Sequence, residues 1–221
     1  MTDIRVKICG LKRPEDVDAV ASAGAAYAGF VFVERSNRFV TPETAAPLAA
    51  NAPVGLAKVA LVVDPTDADL DAILSRVPID ILQLHGHETP ARVAEIRARY
   101  GLPVMKAIGI ADADDLAQIP GYEAVSDLIL VDAKPPKASD LTGGNGLSFD
   151  WRLLQGRRWQ RPWMLAGGLT AENAAKAASL TGATTLDVSS GVESEPGVKD
   201  AAKITAFVAA AQGAAPIPRL A

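Results

Sequence analysis

The chain has one cysteine, Cys9, and only two histidines, His85 and His87. A lone thiol excludes an intramolecular disulfide and fits a reducing compartment. The histidines, with the only cysteine far away in sequence, make no recognised metal-ligand spacing, so no metal is expected. No stretch approaches the roughly 18 apolar residues of a membrane span, and the first residues carry no apolar core with a cleavage site. The formal net charge is −4 and no block of lysine and arginine appears, which argues against a nucleic-acid surface. These absences point to a cytoplasmic protein with a small-molecule ligand, no nucleic-acid or membrane partner, and a monomeric or weakly dimeric state. No Pro/Gly/Ser-rich linker divides the sequence. One domain is expected over 1–213, with 214–221, which carries two prolines, as a loose tail.

What the chain does have is alternation. Short β-branched runs, expected as strands, lie near 4–9, 27–33, 57–63, 80–84, 104–108, 127–131, 162–166 and 185–188. Alanine-rich helical patterns lie near 14–23, 42–50, 67–76, 89–99, 112–117, 148–155, 171–180 and 200–211. Several begin with a cap signal, as in Thr41-Pro42-Glu43 and Thr170-Ala171-Glu172-Asn173. Eight such units in 221 residues leave roughly 28 apiece, which fits a single-domain (β/α)8 TIM barrel, an α/β fold. A doubly wound open sheet competes, but it usually carries a glycine-rich turn after its first strand. Cys9-Gly10-Leu11-Lys12 is no such turn.

In a barrel the chemistry sits at the C-terminal ends of the strands. The first strand ends in Cys9, on the face opposite Ile4, Val6 and Ile8 and shared with Arg5 and Lys7. A thiol beside cations can act as base or nucleophile; it can equally be a small buried hydrophobe. Strand six ends in Asp132, in phase with Leu128 and Leu130. The next helical pattern begins well downstream, so helix capping is disfavoured and an acid–base role preferred. Gln83 and His85 share a face of strand four, as ligand contacts or as satisfied core groups, whereas His87 reads as a loop residue. Arg38 lies in the loop after strand two. Its guanidinium suits a carboxylate or phosphate, although a loop arginine is often merely solvated.

The clearest ligand signal comes last. Gly167-Gly168 lets backbone approach an anion closely, just before a helix N-terminus. Ser189, Ser190 and Gly191 follow strand eight and supply hydroxyls and another N–H. Loops after strands seven and eight hold phosphate recurrently in this fold. Gly143-Gly144-Asn145-Gly146 could fold over the same ligand or form a lid without contacting it.

In their joint order these segments resemble the phosphoribosylanthranilate isomerase family of tryptophan biosynthesis. The match runs through Lys7-Ile8-Cys9-Gly10-Leu11, Gly29-Phe30-Val31-Phe32, Ser36-Asn37-Arg38 and Leu82-Gln83-Leu84-His85-Gly86. It continues through Val131-Asp132-Ala133-Lys134, Gly143-Gly144-Asn145-Gly146, Phe149-Asp150-Trp151 and Ala166-Gly167-Gly168-Leu169. It closes with Asp187-Val188-Ser189-Ser190-Gly191-Val192-Glu193. The segment from Lys134 to Leu141 looks extended against the family pattern, and the tail from Ala214 has no counterpart.

The resemblance implies a cofactor-free Amadori rearrangement of N-(5-phosphoribosyl)anthranilate. Cys9 would be the general base, Asp132 the general acid and Arg38 the anthranilate-binding residue, with phosphate held after strands seven and eight. Those roles require a thiol pulled below its usual ~8.5 and an aspartate pushed above ~3.9. Lys7 is expected to favour the thiolate, with Asp187 on the last strand as its counter-ion at the substrate site. Two competing readings remain. One is a barrel with other phosphosugar chemistry, such as an epimerase or the related histidine-pathway isomerase, which would carry aspartate in place of Cys9. The other is a sugar-phosphate-binding barrel without turnover.

Overall fold

The computed structural model describes residues 4–133 and 150–213. Eight parallel strands close into a barrel: β1 Arg5–Cys9, β2 Tyr27–Val31, β3 Ala57–Val62, β4 Ile81–Leu84, β5 Val104–Ile110, β6 Leu128–Ala133, β7 Trp163–Ala166 and β8 Thr185–Val188. Each strand pairs with the next and β8 returns to β1. The connecting helices are α1 Pro14–Ser22, α2 Pro42–Ala50, α3 Asp67–Leu74, α4 Pro90–Tyr100, α5 Ile119–Glu123, α6 Ala171–Thr181 and α7 Ala201–Gln212. Among the described residues no helix is long and apolar enough to cross a membrane.

Period two sorts the strand residues into two layers. Val59, Met105, Ala107, Leu130 and Met164 pack inside the barrel, above Tyr27, whose ring lies 4.6 Å from the Arg5 guanidinium. The alternate positions, such as Val6, Ile8, Phe30, Leu82 and Ile108, face the helices in one continuous core. The chain fixes this pattern through its helix ends. Thr41, Thr66 and Thr89 each accept a backbone N–H from the first turn of the helix they precede. Gly101 and Gly182 end α4 and α6 at φ of 65° and 73°, a conformation that costs glycine little.

Three segments differ from the sequence expectation. The helix expected near 112–117 is a 3-10 turn, Asp114–Gln118, followed by α5. Pro120 has no N–H to return to the Leu116 carbonyl, so the turn cannot continue as one α-helix. The helix expected near 148–155 is, where described, a single 3-10 turn at Trp151–Leu154 that stops before Gly156, at φ 71°. Downstream of it Trp159 stacks on Trp163 at 4.3 Å. Finally, a hairpin of β9 Glu193–Glu195 and β10 Val198–Lys199 stands between β8 and α7, where the sequence pattern placed no element. The expected glycine lid, including Gly143 and Gly144, and the expected tail 214–221 lie outside the described residues.

Candidate active site

Parallel strands bring all eight C-terminal ends to one mouth. A cavity of about 730 Å³ opens there, lined by Cys9, Arg38, His85, Asp132, Gly167, Gly168, Asp187, Ser189, Ser190 and Gly191 among others. Gln83 sits one layer below, fully buried. The mouth thus gathers the described site candidates from β1, β2, β4, β6, β7 and β8. Among the described residues no cluster of three His, Cys, Asp or Glu side chains could hold a metal.

On the β1–β8 side Lys7, Cys9 and Asp187 are all buried. Lys7 is fully buried and its Nζ lies 2.9 Å from Asp187 Oδ1, because the strand register sets Lys7 opposite Asp187. Burial alone would push this ammonium down, but Asp187 and Cys9 more than offset it and the lysine is held charged. Cys9 is 4% exposed. Burial pushes its thiol up, Lys7 pulls it down and Asp187 pushes it up again, and the balance stays above the ordinary thiol value. The sequence expectation therefore holds for the sign of the Lys7 effect but not for the outcome. In the free site desolvation outweighs the neighbouring cation, and the thiol keeps its proton. Space for the sulfur comes from Gly29, paired with Cys9 across the sheet, where a Cβ would come within 3.1 Å of Sγ.

The β4–β6 side is half open. Gln83 Nε2 lies 2.9 Å from His85 Nδ1, and His85 Nε2 lies 3.2 Å from Asp132 Oδ2. With the amide nitrogen toward the ring, Nδ1 accepts and Nε2–H donates to the carboxylate. Gln83 Oε1 has no partner among the described residues, although it is buried. Glu88 holds the loop carrying His85, accepting from the Gly86 and Asp64 N–H groups. Buried Lys106 grips Glu88 at 2.7 Å and the Gly86 carbonyl at 2.8 Å. His87 is exposed, as a loop residue should be.

At the end of β7, Gly167 and Gly168 have φ of 89° and 62°, turning the backbone just ahead of α6. A Cβ on Gly191 would collide with the Leu169 carbonyl, so the loops after β7 and β8 touch only because that residue is glycine. Ser189 is not free to donate into the cavity, because its hydroxyl donates to the Cys9 carbonyl at 2.9 Å. Ser190 remains exposed at the rim.

Arg38 reaches the mouth over Gly10, whose missing Cβ leaves room for the Arg38 stem. Its Nε and Nη2 each lie 2.7 Å from a carboxylate oxygen of Glu193. Lys199 Nζ is 2.7 Å from the same carboxylate and also donates to the Ser189 carbonyl. Although burial favours its protonated form, hydrogen bonds from Arg38 and Lys199 hold Glu193 at a pKa of about 2. Sequence reasoning used Glu193 only as the end of a motif and passed over Lys199. The available signal was Gly197 between two short charged segments, which marks a tight hairpin.

A (β/α)8 barrel whose strand ends combine a thiol, a carboxylate–imidazole pair, a guanidinium and glycine-lined loops is built as an enzyme for a small molecule. Comparison with known proteins narrows the class to one family. The profile of N-(5'-phosphoribosyl)anthranilate (PRA) isomerase matches residues 6–210. The N-(5'-phosphoribosyl)anthranilate isomerase of Cereibacter sphaeroides is 62% identical over 212 residues, 96% of this chain and 100% of that protein. The crystal structure of phosphoribosyl anthranilate isomerase from Thermotoga maritima superposes with a TM-score of 0.86 at 34% identity, covering 95% of this chain and 99% of the other. A further phosphoribosyl anthranilate isomerase structure holds reduced 1-(o-carboxyphenylamino)-1-deoxyribulose 5-phosphate; it covers the same shares at TM-score 0.83 and 32% identity. The chain belongs to the N-(5'-phosphoribosyl)anthranilate isomerase family and is an isomerase.

Proposed function

We propose that this isomerase converts N-(5-phosphoribosyl)anthranilate to 1-(2-carboxyphenylamino)-1-deoxyribulose 5-phosphate in tryptophan biosynthesis, with Asp132 as general acid and Cys9 as general base. The observation carrying the assignment is that one cavity holds both groups, on β1 and β6, between an arginine and a glycine-lined anion site. The substrate has an anion at each end. Its phosphate fits the N–H groups around Gly167, Gly168 and Gly191 at the start of α6, and its carboxylate fits Arg38. The sugar carbons then lie between Cys9 and Asp132.

The steps follow from the groups. Asp132 protonates the furanose ring oxygen, the C1–O bond breaks, and the anilino nitrogen's lone pair completes a Schiff base. The C2 proton becomes acidic and passes to the Cys9 thiolate. The enol so formed tautomerises to the ketose. Asp132 acts in its protonated form, and Gln83 and His85 set which way the hydrogen bond at its carboxyl runs. If the Gln83 amide turns over, Oε1 accepts from Nδ1–H and Nε2 is left as an acceptor for a hydrogen bond from the protonated Asp132 carboxyl. Cys9 must lose a proton that burial holds, so its thiolate forms only against Lys7. Purified protein should consume phosphoribosylanthranilate, followed by its fluorescence, without added cofactor. Binding of the substrate with no turnover would leave a sugar-phosphate-binding barrel instead.

A further inference from the structure

Arg38 has five N–H donors, and Glu193 takes two of them in a side-on fork, through Nε and Nη2. Both hydrogens of Nη1 and the second of Nη2 remain. They form the end of the guanidinium, a pair of parallel donors matched to a planar carboxylate. Glu193 is 7% exposed and Lys199 5%. Neither lines the cavity that Arg38 lines.

The fork is anchored from several directions. Gly197 N–H donates to Glu193 Oε2 at 3.2 Å, and Lys203 Nζ holds the Glu193 carbonyl at 2.7 Å. The β9–β10 turn also packs against the Arg38 loop, since a Cβ on Gly197 would strike the Asn37 carbonyl. Formal charge gives the second half of the argument. An isolated Arg38–Glu193 pair would be neutral and a poor receptor for an anion. Lys199, 2.7 Å from the same carboxylate, leaves the three-membered cluster with one net positive charge.

We infer that Glu193 and Lys199 are positioning residues of the carboxylate subsite: Glu193 orients the guanidinium so that its Nη1–Nη2 end faces substrate, and Lys199 keeps the cluster cationic. The β9–β10 hairpin is thereby a specificity device for substrates bearing a carboxylate on the ring. The inference rests on the assignment of Arg38 to that carboxylate.

Two ligands test it, reduced 1-(o-carboxyphenylamino)-1-deoxyribulose 5-phosphate and its phenylamino counterpart lacking the carboxyl. Their affinities are measured by calorimetry on the purified full chain and on Glu193→Gln, Lys199→Met, Lys199→Arg and Arg38→Ala. Gln in the fork presents an N–H to a guanidinium N–H, so the guanidinium turns away. The carboxylated ligand should weaken about tenfold and its counterpart less than about twofold, with KM rising and kcat held. Lys199→Met should show the same selectivity without opening the fork, and Lys199→Arg should restore binding. It also serves where Glu193→Gln fails to fold. Equal weakening of both ligands, or an unchanged carboxylated ligand, overturns the inference. If Arg38→Ala is selective and neither Glu193→Gln nor Lys199→Met is, the inference fails and the Arg38 assignment stands. If Arg38→Ala itself is unselective, both fall.

Discussion

The two sides of the barrel mouth solve opposite problems. On β1 and β8 the Cys9 thiol is 4% exposed and stands over a lysine that solvent does not touch. On β4 and β6 the side chains of His85 and Asp132 are 29% and 31% exposed. A base that removes a proton from carbon gains from a dry site, where a single buried cation changes the thiolate's energy far more than it would in water. An acid that must be recharged every turnover gains from contact with solvent and from an imidazole within hydrogen-bond reach. The contrast separates a buried electrostatic device from a solvent-exposed, hydrogen-bonded one. One cavity thus offers a thiol whose proton depends on a buried cation and a carboxyl that exchanges freely with solvent.

The largest effects should come from removing either end. Asp132→Asn keeps the shape and deletes the acid, and kcat should fall roughly 10²–10⁴-fold while phosphate binding survives. More than about a tenth of the wild-type rate would take Asp132 out of the role. Cys9→Ser should lose at least a comparable factor, and alkylation of the native thiol should inactivate, with protection by a bound product analogue. Full activity after alkylation would move the base elsewhere.

Next in size is the cation beneath the base. Lys7→Met removes the group that pulls the thiol down and leaves Asp187 uncompensated, which pushes it up. Both changes favour the protonated thiol. The wild-type profile of kcat/KM should therefore rise with pH through a limb above the ordinary thiol range, and in Lys7→Met that limb should move further alkaline. At neutral pH the loss should be about ten- to a hundredfold, shrinking as pH rises. The unpaired buried carboxylate should also cost the fold about 3–5 kcal/mol. Lys7→Met/Asp187→Asn separates the two, since thermal stability should return without the neutral-pH activity. An unmoved limb would make the pair purely structural.

How much of this could be read from residues depends on range. Period two in Arg5-Val6-Lys7-Ile8-Cys9 puts Lys7 and Cys9 on one face, because alternation is local and needs no partner. The Lys7–Asp187 pair was also legible, since a closed barrel makes its first and last strands neighbours and a buried lysine requires a counter-ion. The protonation state of Cys9 was not legible, because desolvation is a property of the assembled interior and a cation nearby in sequence says only which way one contribution acts. The hairpin at Glu193–Lys199 escaped for a different reason. Its strands are only three and two residues long, too short for any periodicity, and Glu193 finds Arg38 across 155 positions of sequence. The turn at Trp151–Leu154 shows the same limit. Helical spacing was visible near 148–155, but the described part is one 3-10 turn that stops before Gly156, at φ 71°.

The smallest expected effect tests the half-open side. Gln83 touches no solvent and reaches Asp132 only through His85, so its substitution cannot remove a reacting group. In Gln83→Met the Nδ1 position loses its hydrogen-bonding partner, and neither imidazole tautomer is preferred by the layer below. Asp132 keeps its contact with Nε2, so catalysis persists. What changes is the fraction of sites in which Nε2 accepts a hydrogen bond from the Asp132 carboxyl instead of donating to its carboxylate. A loss of roughly 3–10-fold in kcat is expected, on the scale of one ordinary hydrogen bond, with KM little changed. Gln83→Glu sharpens the test because its carboxylate only accepts. It holds Nδ1–H and makes Nε2 a stronger base that draws the acidic proton from Asp132 onto the imidazole, so Gln83→Glu should lose more activity than Gln83→Met if the layer below directs the His85–Asp132 hydrogen bond. Steady-state kinetics of both variants across pH, with the acid-side limb compared, decides the matter. If Gln83→Glu and Gln83→Met lose activity equally and their limbs coincide with wild type, Gln83 fills space beneath His85 and does not direct the His85–Asp132 hydrogen bond.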